Sequence, residues 1–386
     1  MPLILCTLNF KGEVMKKNIK RILSIFLLIM IVFGIMSYTQ VRFDHNNVRI
    51  EGFYREEANS LDVLFVGASE VYSDYSPVYA YEKYGFTSYN YSIEDNPLML
   101  YKWELDEIYS HQKPKAVIIE ITAATSDRTL SCEDSYFDAT LRKISDSVPI
   151  SLSKFELVNQ FGQQKHQISY FCPSVMYHGS LPKIDVAKEI IGFQSRGYSY
   201  LKGAVTRTNS LPCQREDLYD IHNDNTMLAI SKTQEQLLID LLEHCRNKGY
   251  NVVFARFPHR VESKEKYDRY CEGNYVSNII EQYGFEFLDF EHKTDEIGID
   301  KIMDFADGEH LRMSGSIKFT EYVGALLFDK CVINKTELSE SNREKWNNCV
   351  KYIDSFKKYY EIVKDGSGDR FISEKNELLE ELQILM

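Results

Sequence analysis

The sequence contains no paired cysteine motif, no internal repeat and no excess of basic residues. Its eight cysteines are scattered, and none stands in a CxxC pair (Cys6, Cys132, Cys172, Cys213, Cys245, Cys271, Cys331 and Cys349). Structural zinc sites and small disulfide-rich domains both rely on regular cysteine spacing. We therefore predict no metal site, no required cofactor and no regular disulfide framework, and interpret the cysteines as small buried side chains.

The charge balance argues against a nucleic-acid partner. Lys and Arg together number 45 against 57 Asp and Glu, for a formal net charge of -12. A chain of this sign has no broad electrostatic attraction for a polyanion. With 386 residues and 44% hydrophobic content, it is large enough for one globular domain with appendages.

An apolar segment near the N-terminus predicts a membrane anchor. Residues 22–39 carry no charge and follow four basic residues (Lys16, Lys17, Lys20 and Arg21). A helix of this length can just cross a bilayer, and the basic flank favours a cytoplasmic 1–21 and an extracytoplasmic remainder. A cleaved signal peptide and a buried soluble helix are the alternatives. The stretch Met36–Thr39 lacks a small-x-small cleavage site, which favours the uncleaved anchor.

Met15 followed by two lysines is typical of a translation start. Residues 1–14 are therefore interpreted as an upstream extension of the reading frame with no structural role.

Between residues 55 and 332, short apolar runs alternate with helical patterns. The predicted strands are Leu61–Val66, Thr87–Tyr91, Lys115–Ile121, Asn251–Phe257 and Glu286–Asp289. The predicted helices are Pro77–Tyr84, Pro97–Ser110, Lys232–Lys248, Lys264–Tyr283 and Ser314–Phe328, with a capping box at Ser231 and Gln234 and an N-cap at Ser314. This alternation predicts an α/β fold of three α/β/α layers around a mainly parallel sheet.

Two regions depart from that rhythm. Residues 125–230 lack clear periodicity and are interpreted as an insertion or lid. Residues 337–386 are polar and helix-prone, which predicts a helical C-terminal tail.

Two short segments carry the residues of a serine nucleophile and its base. Ser69 follows the first predicted strand, where the carboxyl ends of parallel strands form ligand sites. Asp307 and His310 stand three residues apart just before the last helix of the sheet region, so they open onto the same edge. A serine hydroxyl needs a histidine base, and the histidine needs a carboxylate to orient it.

These segments resemble the blocks of the SGNH/GDSL hydrolase superfamily. The matching residues are Gly67-x-Ser69, Asn90-Tyr91-Ser92 and Asp307-x-x-His310-Leu311, and the resemblance spans residues 60–330. More narrowly, DVLFVGASEVY and DFADGEHLRMSGSIKFTEYVG resemble its membrane-anchored bacterial branch, similar in layout to the D-alanyl-transfer protein of teichoic acid synthesis. The resemblance implies an SGNH-hydrolase or flavodoxin-like fold, with Ser69 as nucleophile, His310 as base and Asp307 as its orienting acid.

The sequence departs from the family pattern at the residues that stabilise an oxyanion. The first block has Ala68 and Glu70, the second-block glycine is replaced by Asp95, and the third block, near residues 123–126, has no asparagine. The backbone N–H groups of Ser69 and Asp95 can still serve, because any residue except proline supplies one. Three charged residues at strand ends are further candidates for the substrate site: Glu120, Arg256 and His259.

The resulting hypothesis is a single-pass cell-membrane protein with an extracytoplasmic serine-dependent acyl transferase or esterase. Its expected substrate is a cell-envelope glycan or an acylated carrier, modified through an acyl-serine intermediate. The resemblance also implies a membrane-bound O-acyltransferase as partner. The alternative is an inactive envelope assembly or glycan-binding protein that retains the fold.

Overall fold

The computed structural model describes residues 15–32, 45–126, 134–177, 199–207, 219–332 and 334–363. The chain divides into two compact units, one comprising residues 1–43 and 164–194 and the other residues 44–163 and 195–386. The strands and the predicted site residues all belong to the second unit. The predicted extension at 1–14 and the end of the tail at 364–386 lie outside the described residues.

Along the chain, the strands alternate with helices. The strands are β1 (Val63–Gly67), β2 (Ser88–Ser92), β3 (Ala116–Glu120), β4 (Val252–Arg256) and β5 (Phe287–Asp289). The helices are α1 (15–32), α2 (His45–Tyr54), α3 (Ser69–Asp74), α4 (Pro77–Tyr84), α5 (Tyr101–His111), α6 (Ser135–Ser145), α7 (Leu152–Phe161), α8 (Gln167–Phe171), α9 (Ser174–Tyr177), α10 (Lys232–Lys248), α11 (Lys264–Gln282), α12 (Thr294–Ile297), α13 (Met313–Lys330) and α14 (Glu340–Val363). Short 3₁₀ turns lie at Leu98–Leu100, Thr122–Thr125, Gln164–His166 and Glu291–Lys293.

The strands form one parallel sheet in the order β2-β1-β3-β4-β5. The chain therefore reverses its winding direction between β1 and β3. In open α/β sheets, a crevice for ligands forms outside the carboxyl ends of the strands at such a switch point. The fold places the residues after β1 and β3 at that crevice.

Both faces of the sheet are buried, which gives the predicted α/β fold with a parallel sheet. Val63 and Phe65 of β1 pack in one core cluster with Phe319 and Val323 of α13. The intervening residues of β1, Leu64 and Val66, are equally buried, and α5 contacts β1. Burial on both faces explains why the strands read as continuous apolar runs in the sequence.

The predicted strand limits are confirmed to within one or two residues. The first strand begins at Val63 rather than Leu61, because the backbone N–H of Leu61 donates to the side chain of Gln112, outside the ladder. Helix α4 spans Pro77–Tyr84, as predicted, with Ser76 at its N-cap position and Gly85, at φ 71°, at its C-cap position.

Two predicted helix caps need correction. At α10, Ser231 Oγ accepts from the backbone of Gln234 at 3.3 Å, but the Gln234 side chain donates to the carbonyl of Ser126, so the capping box is half formed. At α13, the N-cap position is Arg312 rather than Ser314. Ser314 Oγ instead accepts from the Tyr360 hydroxyl of α14 at 3.1 Å.

The membrane anchor predicted for residues 22–39 is only partly covered. Helix α1 contains residues 15–32, including the basic flank, whereas residues 33–39 lie outside the described residues. Among the helices that the structure describes, none has both the length and the apolar composition needed to cross a membrane. The anchor therefore remains a proposal.

Candidate active site

Ser69 lies beyond the carboxyl end of strand β1, the second strand of the sheet. Gly67 ends the strand, and Ser69 is the first residue of α3. A backbone N–H in the first turn of a helix has no acceptor within the helix, so that of Ser69 is available to a ligand. Gly67 is required here because a Cβ would lie 2.5 Å from Val71 Cγ2 and 2.9 Å from Glu120 Cβ.

Asp307 and His310 form a pre-organised pair in the loop before α13. His310 Nδ1 lies 2.9 Å from both Asp307 carboxylate oxygens, and the backbone N–H groups of Glu309 and His310 donate to Asp307 Oδ1 at 2.8 and 2.9 Å. An isolated bridge between Phe305 and Leu311 closes the loop. This geometry gives the Nδ1–H tautomer and leaves Nε2 of His310 to accept a proton.

The electrostatics of Asp307 favour its ionised form. Partial burial would raise the pKa of this carboxyl, but the bond to His310, the backbone of Glu309 and the charge of Arg207 together hold it well below its ordinary value. A carboxylate that stays ionised can stabilise an imidazolium when His310 takes up a proton.

Two contacts bring the Ser69 helix and the His310 loop together. The backbone N–H of Leu311 donates to Asp74 Oδ1 in α3 at 2.8 Å. Arg207 donates from Nε to Ser73 Oγ at 3.2 Å and lies 3.9 Å from Asp307 Oδ2 through Nη1. The two predicted segments therefore meet at one edge of the sheet.

The Ser69 hydroxyl is hydrogen-bonded to Glu70 and not to His310. It donates to Glu70 Oε2 at 3.4 Å, whereas His310 Nε2 is buried and makes no hydrogen bond within the described part of the chain. Hydrogen bonds between a nucleophile and its base are often long in a protein without substrate and shorten only when substrate binds. The hydroxyl of Ser69 and Nε2 of His310 are therefore not hydrogen-bonded to each other in this structure.

Beneath Ser69 lies a buried chain of acids and bases. His259 Nε2 is 3.8 Å from Glu70 Oε1, and His259 Nδ1 is 3.8 Å from Glu291 Oε1. Burial lowers the pKa of His259, but Glu70 and Glu291 outweigh it and raise the value to about 10. Burial likewise opposes ionisation of Glu70, yet the interaction with His259 holds the pKa of Glu70 below its ordinary value.

The three residues predicted for the substrate site lie close to Ser69, but their polar groups interact with other protein groups rather than with solvent. They are Glu120, Arg256 and His259. Glu120 is fully buried and accepts from the backbone and hydroxyl of Thr122, and burial followed by the charge of Glu70 raises its pKa to about 8. Arg256 forms ion pairs with Asp289 and, at 3.0 Å, with Glu291. These three residues support the floor of the site.

Asp95 has a backbone φ of +54°, in the left-handed region that favours glycine. Its carboxylate accepts from the hydroxyl of Tyr136. Ser69 and Asp95, the two residues predicted to supply backbone donors, both line one cleft.

Sequence reasoning missed Asn96, which borders the same cleft. Its Nδ2 donates to the carbonyl of Gly67 at 3.1 Å and to the two oxygens of Glu104 at 2.9 and 3.0 Å. Both amide hydrogens are used, so Asn96 does not replace the missing side-chain donor of the third block. Its position one residue after Asp95 was the only signal in the sequence.

The cleft at Ser69 encloses about 680 Å³, part of it open solvent. Its lining includes Ser69, Asp95, Asn96, Thr122, Thr125, Ser126, Gln234, Arg269 and Glu309. A second cleft of about 500 Å³ shares Thr122, Thr125, Arg269 and Glu309 and extends towards Arg256 and His259.

The described residues contain no group of three or more His, Cys, Asp or Glu side chains placed to hold a metal ion.

Compared with known proteins, the sequence matches no family model and no curated protein.

Proposed function

We propose that this protein is a serine-dependent acyl transferase or esterase that acts through an acyl-Ser69 intermediate. One observation carries the proposal: Nε2 of His310, a residue oriented by Asp307, is buried and makes no hydrogen bond to any residue that the structure describes, at the sheet edge where Ser69 begins a helix. The strand order, with Ser69 after β1 and the Asp307–His310 pair before α13, supports an SGNH-like fold.

The first half of the reaction forms the acyl-enzyme. The Ser69 hydroxyl turns from Glu70 to His310, and Oγ attacks the acyl carbonyl while its proton passes to Nε2. The backbone N–H groups of Ser69 and Asp95 stabilise the oxyanion. The bond between carbonyl and leaving oxygen then breaks, and His310 returns the proton to that oxygen.

The second half transfers the acyl group. A hydroxyl of the acceptor gives its proton to His310 and attacks the ester carbonyl. When the tetrahedral intermediate collapses, Ser69 Oγ leaves and takes the proton back from His310. Water as acceptor makes the protein an esterase, and a sugar hydroxyl makes it a transferase.

The substrate we propose is a cell-envelope polysaccharide, and the acyl group comes from an acylated carrier or a membrane-bound O-acyltransferase. The apolar residues 22–39 after a basic flank support a membrane anchor with the domain outside. The open cleft at Ser69 and the neighbouring cleft that shares part of its lining support an extended substrate.

The orientation of the Ser69 hydroxyl favours a second candidate, an inactive protein that binds or assembles envelope glycans. In this reading, Glu70 holds the hydroxyl permanently and the missing third-block asparagine reflects lost turnover. The two candidates differ in whether Ser69 can be activated.

A fluorophosphonate probe tests the proposal on the full-length protein in detergent. We expect one adduct, located on Ser69 by peptide mass spectrometry and absent in Ser69→Ala. Ser126→Ala is the matched control, because Ser126 lines the same cleft and is expected to leave labelling unchanged. Absence of an adduct on folded wild-type protein would favour the inactive candidate.

A further inference from the structure

Asn96 connects the two loops that carry the proposed oxyanion donors. Its Nδ2 lies 3.1 Å from the carbonyl oxygen of Gly67, two residues before Ser69, and its backbone directly follows Asp95. A single side chain therefore bridges the turn after β1 and the turn after β2. The separation of the Ser69 and Asp95 backbone N–H groups depends on this bridge.

Glu104 fixes the other end of the bridge. This α5 residue is fully buried, and both its carboxyl oxygens accept from Asn96 Nδ2, at 2.9 and 3.0 Å. Asn96 is itself only 2% exposed, so no water competes for these bonds. Because both amide hydrogens are taken by fixed acceptors, the amide plane of Asn96 has one orientation.

The carbonyl oxygen of Gly67 also excludes the opposite orientation of the Asn96 amide. If Asn96 were flipped, its carbonyl oxygen would lie about 3 Å from the Gly67 oxygen, which carries no proton. Asn96 therefore holds the Gly67 carbonyl and cannot itself reach an oxyanion as a donor. It acts through the backbone of its neighbours.

We propose that Asn96 and Glu104 are positioning residues that set the oxyanion site of Ser69. This inference rests on the proposed function. Stabilisation of a developing charge requires donors already in place, and a displacement of about 1 Å costs on the order of 100-fold in rate. The bridge supplies that placement from within the fold, in a chain whose third block lacks a side-chain donor.

The chemistry of Glu104 provides a conservative variant. Burial raises the pKa of Glu104 to about 8, and the bond from Asn96 opposes this only in part. At neutral pH the side chain is therefore largely an uncharged acid, for which glutamine is a close substitute. Glu104→Gln keeps an acceptor for Asn96, whereas Glu104→Leu removes it.

The first test measures the rate at which the fluorophosphonate inactivates the full-length protein, over a range of probe concentrations. The data give two quantities: the maximal inactivation rate and the probe concentration that gives half of that rate. We expect Asn96→Ala and Glu104→Leu to lower the maximal rate by about 10- to 100-fold with little change in the half-saturating concentration. Glu104→Gln is expected to stay within about threefold of wild type. A purely structural role would lower the melting temperature of the variants without this split.

The second test does not depend on catalysis. Hydrogen–deuterium exchange of peptides covering residues 67–72 and 93–97 should be faster in Asn96→Ala and Glu104→Leu, and unchanged in a peptide from α14. If wild type is labelled but folded Asn96→Ala reacts at the wild-type rate, the positioning role is wrong. If wild type is not labelled, the proposed function fails, and unchanged exchange in the two loops would separately overturn the bridge.

Discussion

The backbone N–H of Leu311 donates to Asp74 Oδ1 at 2.8 Å, across 237 residues of sequence. Asp74 ends the helix that Ser69 begins, and Leu311 directly follows His310. Asp74 is fully buried, and burial raises the pKa of its carboxyl well above the ordinary value. The helix that begins at Ser69 and the loop that carries His310 are thus joined through one buried side chain.

Replacing Asp74 tests this link. Asp74→Ala leaves the buried N–H of Leu311 without an acceptor, which should lower the free energy of unfolding by about 1–3 kcal/mol and slow fluorophosphonate labelling. Asp74→Asn keeps the acceptor oxygen and should stay within about 1 kcal/mol of wild type. Urea unfolding and labelling rates measure both variants. Equal losses in the two would mean that the bond to Leu311 is not what Asp74 contributes.

The Asp307–His310 pair should be required for labelling but not for folding. Asp307→Asn changes the group that selects the tautomer of His310, and in a serine triad such a change lowers the rate by about 10⁴-fold. The side chain of Asp307 is 48% exposed, so we expect little change in the unfolding transition.

Glu309→Gln is the matched control for this loop. Glu309 lies between the paired residues, and its side chain contacts Arg269 at 3.5 Å. We expect labelling close to wild type. If Asp307→Asn is labelled as fast as Glu309→Gln, His310 is not activated by Asp307.

The strands of the sheet, and the residues at their carboxyl ends, could be predicted because each strand produces a local pattern in the sequence. Continuous apolar runs such as the one at Leu61–Val66 arise from strands buried on both faces. Contact between the helix that begins at Ser69 and the loop that carries Asp307 and His310 was expected from parallel topology, since the carboxyl ends of parallel strands share an edge. Which residues carry the chemistry remains a prediction that the proposed labelling tests.

Contacts between segments that are distant in the sequence could not be predicted from local patterns. Arg207, which bridges Ser73 and Asp307, comes from a region without periodicity, so no pattern marked it. The bond from Ser69 to Glu70 depends on a side-chain rotation, which no spacing encodes. The bridge from Glu104 through Asn96 to Gly67 likewise depends on how α5 packs beside β1.

Gly67 should be intolerant of even one methyl group. A Cβ there would meet Val71 Cγ2 at 2.5 Å and Glu120 Cβ at 2.9 Å, close to the backbone of both neighbours. We expect Gly67→Ala to lower the free energy of unfolding by about 1–3 kcal/mol and to slow labelling, because the turn that carries Ser69 must shift.

Gly249→Ala is the contrasting variant. Gly249 has φ +67° but open space around it, so alanine there should cost about 1 kcal/mol through backbone strain alone. It lies at the end of α10, and labelling of Ser69 should not change. Unfolding curves and labelling rates are measured for both variants. Backbone strain alone lowers the free energy of unfolding, whereas a displaced Ser69 also lowers the labelling rate. Slower labelling in both variants would show that general destabilisation explains the effect.

Glu120 should make stability depend on pH over a defined window. Burial and then the charge of Glu70 raise its pKa from 4.5 to about 8, so the folded protein binds this proton more tightly than the unfolded chain. The stabilisation is fully present below about pH 4.5 and is lost as pH rises towards 8, with a slope of at most about 1.4 kcal/mol per pH unit. Glu120→Gln keeps an acceptor for Thr122 but does not titrate.

The free energy of unfolding, measured between pH 4.5 and 9, should therefore fall less steeply in Glu120→Gln than in wild type. His259 also loses a proton as pH rises, between 6.5 and about 10, so the difference between the two proteins, rather than either curve alone, isolates Glu120. Glu265→Gln, which removes an exposed carboxylate of α11, should run parallel to wild type. If Glu120→Gln also runs parallel, Glu120 is ionised in the folded protein, and the floor beneath Ser69 holds two adjacent negative charges with Glu70.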